Sequence, residues 1–200
     1  MKTNTRKIIA GIVFVCCIFQ TKVQSQNQTG NLPDPEPSAF RFHAVNLKLI
    51  QSTLFSNDKY YPGLGLKTEF LWNEQLFALE YNRLDEFDLF CSSYNTINQV
   101  NLMIGKQWGD ERFVLYGQAG LGVVWGLKRG DIVPDSSAGW LTLCREYEKE
   151  KYSTFGVPVE LGVRYHVLPF MSLGLGAGVN LNPENSGASI HFSIGFGKFR

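Results

Sequence analysis

The 200-residue sequence has few charged residues and no surplus of either sign. Lysine and arginine number 19 against 18 acidic residues, and charged residues make up 18% of the chain, below the roughly 25% of an average soluble domain. Nucleic-acid-binding proteins usually carry a basic surplus or stripe, so we expect no nucleic-acid partner. The three histidines, His43, His166 and His191, are not spaced as metal ligands, and no phosphate-binding loop or paired-cysteine zinc motif is present. We therefore expect neither a metal nor a cofactor.

The sequence also lacks an apolar segment long enough to cross a bilayer as a helix. The apolar run at residues 8–19 (IIAGIVFVCCIF) is shorter than the about 20 residues that such a helix needs. Lys2, Arg6 and Lys7 precede it and polar residues follow, which predicts a signal peptide over residues 1–25 and export through the inner membrane. A retained N-terminal anchor is the alternative. The polar, proline-rich residues 26–38 predict an extended tether, so the folded domain occupies residues 39–200.

What the chain has in abundance is glycine, aromatic residues and an alternating pattern of apolar and polar positions. It contains 20 glycines and 14% aromatic residues. Alternation with a period of two predicts strands with two unlike faces. The clearest example is FGVPVELGVRYHV, where the odd-numbered positions are apolar. Eight such stretches follow one another: residues 45–49, 64–72, 77–82, 99–108, 113–125, 155–167, 171–181 and 190–197.

The connections between these stretches alternate in length. Short ones fall at residues 73–75, 109–112 and 168–170, and long ones at 52–62, 84–95, 128–152 and 183–189. An antiparallel up-and-down sheet with this order has all its tight turns at one end. We therefore predict an all-β fold, an eight-stranded antiparallel transmembrane β-barrel with short periplasmic turns and long extracellular loops.

The composition of the polar face predicts which side of each strand points inward. That face carries glycines such as Gly120, Gly122 and Gly176 instead of the lysine and glutamate of a water-facing surface. Small side chains suit the crowded lumen of an eight-stranded barrel, so the apolar face is expected to point toward lipid. Four aromatic residues at strand ends predict a girdle at the membrane boundaries: Trp72, Trp108, Phe113 and Trp125. A secreted soluble barrel that encloses an apolar ligand remains the alternative orientation.

In these features the chain resembles the small outer-membrane β-barrel proteins of Gram-negative bacteria, of the OmpA and OmpX type. The resemblance covers roughly residues 40–200 and is carried by LYGQAGLGVVW (115–125), VPVELGVRYHV (157–167) and IHFSIGFGKF (190–199). It implies a monomer in the outer membrane, in contact with lipid and inserted by the outer-membrane assembly machinery. The closing strand departs from the signal which that machinery reads, because Phe199 is followed by Arg200 and is out of phase with Phe196.

Most charged residues on the predicted strands share the polar face, which predicts a salt-bridged plug and no open pore. If the turn at residues 73–75 closes a tight hairpin, Glu69 and Glu80 become cross-strand neighbours, and their repulsion requires cations nearby. An acid/base or proton-binding pair is the alternative for these carboxylates. The predicted lumen network consists of Lys48, Lys67, Glu69, Glu80, Glu160 and Arg164.

Beyond the signal peptide only two cysteines remain, Cys91 and Cys144, in the second and third long loops. Both loops lie on the outer side, where an oxidising compartment permits a disulfide. We predict a bond between the two loops that closes about fifty residues and contributes roughly 4 kcal/mol in the loop-entropy model. Two free thiols are the alternative.

The sequence favours a non-enzymatic outer-membrane protein, structural or binding through its extracellular loops, whose loop ligand the sequence does not identify. The enzymatic alternative rests on His191 and Ser193, which resemble the His-x-Ser of outer-membrane lipid A deacylases. Ile194 stands where those enzymes have asparagine. A nucleophilic serine also needs a base and an orienting group, and the phasing turns both residues toward the lumen.

Overall fold

The computed structural model describes residues 40–56, 59–86, 95–132 and 147–199. Their strands are β1 Arg41–Leu54, β2 Tyr60–Trp72, β3 Gln75–Asp85, β4 Thr96–Gly109, β5 Phe113–Ile132, β6 Tyr147–Leu168, β7 Met171–Leu181 and β8 Gly187–Gly197. Each strand pairs antiparallel with the next, and β8 pairs with β1 to close a barrel. The predicted eight-stranded up-and-down barrel is therefore confirmed.

Several predictions fall outside the described residues. The signal peptide at 1–25, the tether at 26–38 and both Cys91 and Cys144 belong to this part of the chain, so their assignments stay predictions. Within the described ranges, no helix is long and apolar enough to cross a membrane.

The apolar face of the barrel points outward. Leu121 is 71% exposed and Phe155 is 80% exposed. Many other large apolar side chains are also exposed, and within each strand they lie mainly on alternate positions. Polar side chains such as Asn46, Asn101 and Gln118 fill the interior and are almost completely buried. This orientation matches the prediction and argues against a soluble barrel that encloses an apolar ligand.

Three short turns share one end of the barrel, here named the short-turn end, and the opposite end is named the loop end. The β2–β3 turn has only two residues, Asn73 and Glu74, both with positive φ (49° and 66°). Positive φ at both central residues matches the right-handed twist of the two flanking strands. The turn pairs Trp72 with Gln75. The register therefore differs from the expected one. Glu69 lies opposite Ala78, so the expected Glu69–Glu80 pair is wrong.

A bulge explains the irregular start of β1. Phe42 pairs with Phe70 and Ala44 pairs with Glu69, which leaves His43 as an extra residue between them. A bulge inserts one residue and reverses the phase of the strand before it. His43 and Ala44 are consequently both buried, while Phe42 is exposed.

The two strands of the β5–β6 hairpin are longer than the stretches predicted at residues 113–125 and 155–167. β5 has 20 residues and β6 has 22, so the predicted connection at 128–152 is wrong at both ends, where residues 128–132 and 147–152 belong to the sheet. Lys128 pairs with Glu150 in this extension, and opposite charges facing each other stabilise neighbouring strands. The sequence pattern ended the strands too early because charged residues replace the apolar ones there, while the backbone pairing continues.

Candidate functional site

The six charged residues predicted for the lumen all lie inside the barrel. Each is at most 5% exposed, and the group holds three cations and three carboxylates. We name the set the ionic network, with Lys48 from β1, Lys67 and Glu69 from β2, Glu80 from β3, and Glu160 and Arg164 from β6. Because burying an unpaired charge is costly, this equality of opposite charges is what allows the network to be buried.

Glu160 lies at the centre of the ionic network. Its Oε2 accepts a hydrogen bond from Lys48 Nζ at 2.8 Å, and its Oε1 accepts one from Lys67 Nζ at 2.8 Å. Lys48 also forms an ion pair with Glu80, whose other oxygen accepts a hydrogen bond from Asn101 Nδ2 at 3.1 Å. One carboxylate on β6 thus joins cations from β1 and β2 across the lumen.

Arg164 and Glu69 form the second half of the ionic network, nearer the short-turn end. Arg164 Nη2 donates to both carboxylate oxygens of Glu69, at 2.9 and 2.7 Å. Lys67 Nζ lies 3.6 Å from Glu69 Oε1 and connects this pair to Glu160. Charge-assisted hydrogen bonds of this kind are shorter and stronger than neutral ones. Together these bonds join side chains of β2 and β6 across the lumen.

Tyr116 on β5 belongs to the site, although the sequence analysis did not assign it a role. Its hydroxyl donates to Glu160 Oε1 at 3.0 Å and lies 3.3 Å from His191 Nε2. Lys67 Nζ and the guanidinium of Arg164 lie 5.0 and 5.1 Å from the centre of its ring, within cation–π range. The signal in the sequence was a single bulky ring on a face otherwise rich in glycine.

The inward glycines make room for these long side chains. A Cβ on Gly162 would overlap the ring of Tyr116, and one on Gly176 would overlap His191. One on Gly122 would overlap the amide of Asn101. Glycine on one strand therefore allows a large polar side chain on its neighbour to cross the lumen.

Very little free space remains beside the ionic network. A cavity of about 50 Å³ lies on its loop side, lined in part by Lys48, Glu80 and Gln99. A water molecule has a share of about 30 Å³ in the liquid, so this space is large enough for only one or two waters. Still nearer the loop end, an apolar cluster crosses the lumen, formed by Ile50, Leu54, Tyr61, Leu84, Ile97 and Val124.

The short-turn end is covered by the last described residue. The ring of Phe199 stacks on His166 with centres 4.5 Å apart and meets the edge of His43 at 5.4 Å. Its backbone N–H donates to the Pro169 carbonyl at 3.2 Å, and Lys198 N–H donates to that of His43 at 2.9 Å. The ring of Phe199 therefore points inward and covers the short-turn end of the lumen, whereas Phe196 points outward, and this explains why the two residues are out of phase.

His191 and Ser193 both face the lumen and are buried. His191 Nε2 lies 3.4 Å from Glu160 Oε1, and Ser193 lies opposite Lys48 in the β1–β8 ladder. A serine nucleophile acts only where substrate reaches it, and these positions are enclosed by the ionic network. Across the described ranges, no three histidine, cysteine, aspartate or glutamate residues are grouped to hold a metal ion.

The four aromatic residues predicted for a girdle all lie on the outer surface and are about 40–50% exposed: Trp72, Trp108, Phe113 and Trp125. Trp72, Trp108 and Phe113 flank short turns, whereas Trp125 lies toward the loop end of β5. The rings are thus distributed toward both ends of the apolar outer surface.

A second group of charges, which the sequence analysis missed, lies at the loop end. The buried carboxylate of Glu86 forms ion pairs with Lys59 and with Arg129 Nη2, the latter at 3.2 Å. The backbone N–H of Arg129 donates to Asn95 Oδ1 at 2.8 Å, which connects β5 to the residue that precedes β4. We name Lys59, Glu86 and Arg129 the mouth cluster. Lys128 lies beside it and contacts Glu184 at 3.2 Å.

Comparison with known proteins finds similar structures but no similar sequence. No family model matches the chain, and no curated protein matches its sequence. Neisserial surface protein A is 12% identical with a TM-score of 0.57, covering 78% of this chain and 96% of that protein. The N-terminal barrel domain of Pseudomonas aeruginosa OprF is 14% identical with a TM-score of 0.52, covering 78% and 98%.

A third structure of the same fold is Ail, the attachment invasion locus protein of Yersinia pestis. It is 13% identical with a TM-score of 0.51, and the match covers 78% of this chain and 95% of Ail. All three are small barrels of the outer-membrane type. The resemblance inferred from the sequence is therefore confirmed at the level of the fold.

Proposed function

We propose that the chain is a non-enzymatic outer-membrane β-barrel whose lumen is closed and whose working surface is the loop end. The single observation that carries this proposal is the orientation of its two faces. An exposed apolar band surrounds an interior that is polar and charge-balanced. Water would disfavour such an outer surface, whereas lipid favours it.

The outer aromatic residues support insertion in a membrane. Trp and Tyr concentrate at membrane–water boundaries because their rings straddle the two environments. Trp72 and Trp108 toward one end and Trp125 toward the other fit such boundaries, with the charged β5–β6 extension reaching beyond the membrane. We propose that the short-turn end is periplasmic and the loop end extracellular. Fractionation of cells and heat-dependent gel migration test insertion in the outer membrane, and recovery of the folded chain in the soluble fraction would contradict it.

We propose that a monomer is exported by the signal peptide at residues 1–25 and inserted by the outer-membrane assembly machinery. The alternating outward residues of β8 support recognition by that machinery: Ile190, Phe192, Ile194 and Phe196. Because the ring of Phe199 points inward at the short-turn end, the assembly machinery would recognise β8 without a terminal aromatic residue that points outward. Deletion of residues 198–200 should therefore leave insertion largely intact, as measured by the amount of heat-modifiable protein in outer membranes.

The ionic network supports a barrel that does not conduct ions. The lumen contains bonded side chains at the level of Glu160 and an apolar cluster nearer the loop end, and both obstruct a water-filled path. Wild-type protein in planar bilayers should give no discrete conductance steps. Regular steps from protein free of porin contamination would overturn the closed-lumen proposal.

The loops at the extracellular end remain the proposed contact surface, and a disulfide between Cys91 and Cys144 is proposed to join two of them. Peptide mapping without reductant tests the bond, and recovery of both free thiols would remove it. The lipid-modifying alternative is disfavoured because Ser193 is buried behind the barrel wall. Replacing Ser193 with alanine should leave lipid A acylation unchanged.

A further inference from the structure

Lys106 is a cation on the apolar outer surface of the barrel. On β4 exposed side chains alternate with buried ones, and Lys106 continues the outward row of Leu102 and Ile104. It is exposed, and Trp108 follows it on the same face, nearer the short-turn end. Charged residues on the lipid face of a barrel are costly in the middle of the membrane and tolerated near its boundaries. A position next to an interfacial tryptophan therefore suits this charge.

The charge of Lys106 is not balanced by any carboxylate in the described part of the chain. None of the ion pairs formed there includes Lys106. By contrast, the lysines of the ionic network and of the mouth cluster each contact one or two carboxylates. The cross-strand neighbours of Lys106 are the neutral residues Gln75 and Gly117. An external anion therefore meets the full charge of this ammonium group.

Hydrogen-bond donors flank Lys106 on the β3 side. Trp72 pairs with Gln75 in the β2–β3 ladder, and Gln75 pairs with Lys106 in the β3–β4 ladder, so the three residues form one row across three strands. All three are exposed. The indole N–H donates one hydrogen bond, the amide donates two and the ammonium group donates three. Donors suited to a strong acceptor thus lie side by side on the outer surface.

On the β5 side, the absence of a side chain at Gly117 keeps Lys106 accessible. A Cβ at this position would lie 3.5 Å from Cζ3 and 3.6 Å from Cη2 of the Trp108 ring, and 3.0 Å from Leu161 Cδ2. The ring of Trp108 therefore lies toward the glycine on β5, within contact distance of the space that a side chain would fill. Lys106 stays exposed between this ring and Gln75.

The surface beside Lys106 also offers contact to an acyl chain. Ile104 and Leu102 continue the outward row of β4 away from the short-turn end and are 47% and 65% exposed. A phospholipid carries an anionic phosphate and acyl chains in one molecule, so it meets the cation and the apolar row together. We propose that Lys106 binds the phosphate of an anionic phospholipid between Gln75 and Trp108. The acyl chains of that lipid then lie on Ile104 and Leu102.

This inference rests on the proposed function, because only a barrel inserted in a membrane brings Lys106 to a lipid headgroup. A zwitterionic phospholipid carries its own cation beside the phosphate, so its net attraction to Lys106 is weaker. A soluble phosphate has no acyl chain and leaves the apolar row of β4 unused. The anionic phospholipid is therefore the ligand that matches both parts of the site.

Native mass spectrometry of the folded mature chain in a non-ionic detergent tests the site. The probes are dimyristoyl phosphatidylglycerol, dimyristoyl phosphatidylcholine with the same chains, and glycerophosphoglycerol, the anionic headgroup without chains. We expect the first phosphatidylglycerol to bind about fivefold more tightly than phosphatidylcholine, the attraction of one lysine to anionic lipid. Glycerophosphoglycerol should not bind measurably. Equal affinity for the two lipids would overturn the headgroup assignment, and equal binding of glycerophosphoglycerol would overturn a lipid as the ligand.

Single substitutions of two exposed lysines locate the site. Lys106→Gln should abolish the preference for phosphatidylglycerol, and Lys106→Arg should keep it because the charge is retained. Lys151→Gln removes an exposed lysine from the charged extension of β6 and should leave the preference unchanged. Equal loss in Lys106→Gln and Lys151→Gln would mean general attraction between charges and would overturn the assignment to Lys106.

Heat-dependent gel migration of the chain folded into phosphatidylcholine vesicles separates this inference from the proposed function. A chain that folds and inserts but shows no preference for phosphatidylglycerol overturns the lipid site and leaves the outer-membrane assignment standing. A chain that does not fold in lipid overturns both.

Discussion

The ionic network and the mouth cluster use the same arrangement in two different environments. In each, one buried glutamate holds two cations: Glu160 with Lys48 and Lys67, and Glu86 with Lys59 and Arg129. The cations of Glu160 are at most 4% exposed, whereas those of Glu86 keep 43% and 28% of their side chains exposed. The same combination of one carboxylate and two cations is therefore buried in the lumen around Glu160 and partly exposed to solvent around Glu86.

The largest expected effect comes from removing the central carboxylate of the ionic network. Glu160→Gln leaves Lys48 and Lys67 buried without their shared anion, and breaking a buried pair in this way costs about 3–5 kcal/mol. Urea unfolding of the protein folded in lipid measures the loss. A decrease below about 1 kcal/mol would mean that water reaches these lysines, and the lumen would then not be closed.

Tyr116→Phe tests the same region more gently. The substitution removes the hydroxyl that donates to Glu160 and keeps the ring between Lys67 and Arg164. Hydrogen bonds to charged groups contribute about 1.5–3 kcal/mol, so the free energy of unfolding should fall by that amount. An unchanged value would show that the hydroxyl is not needed to satisfy Glu160.

Glu86→Gln makes the matching change in the mouth cluster. Lys59 and Arg129 can turn toward water when their carboxylate is lost, so the expected decrease in unfolding free energy is about 1 kcal/mol. The same urea experiment measures it beside Glu160→Gln. If the two variants lost equal stability, the contrast between the buried and the reachable cluster would fail.

The smallest effect is expected beside the mouth cluster. Lys128→Gln breaks only exposed contacts with Glu184 and Glu150, so the urea concentration at the midpoint of unfolding should stay unchanged. A clear decrease in that midpoint would mean that Lys128 is a structural residue.

The barrel and the orientation of its faces were predictable because both depend on a local pattern. Alternation with a period of two assigns each residue to a face, and glycine on the polar face indicates a crowded interior. The same reasoning placed Lys48, Lys67 and Glu160 on one surface. It did not assign each cation to its carboxylate, because pairing across a lumen depends on the register of distant strands.

Register is also where the sequence reasoning was wrong. The turn has two residues, so Trp72 pairs with Gln75 and Glu69 lies opposite Ala78 instead of Glu80. Alternation does not fix the length of a turn, whereas the left-handed conformation of Asn73 and Glu74 does. Glu86 was missed for a related reason: it fell in a predicted loop, and its cations, Lys59 before β2 and Arg129 on β5, are 27 and 43 residues away along the chain.

The central claim is that the apolar face of a sealed barrel meets lipid while the polar face meets the lumen. A nitroxide scan of residues 99–104 on β4, a stretch without glycine, in a chain with Cys91 and Cys144 replaced by serine, tests it most directly. The account predicts a period of two in relaxation by oxygen dissolved in the membrane, with maxima at positions 100, 102 and 104. Maxima at 99, 101 and 103, or no alternation, would contradict it.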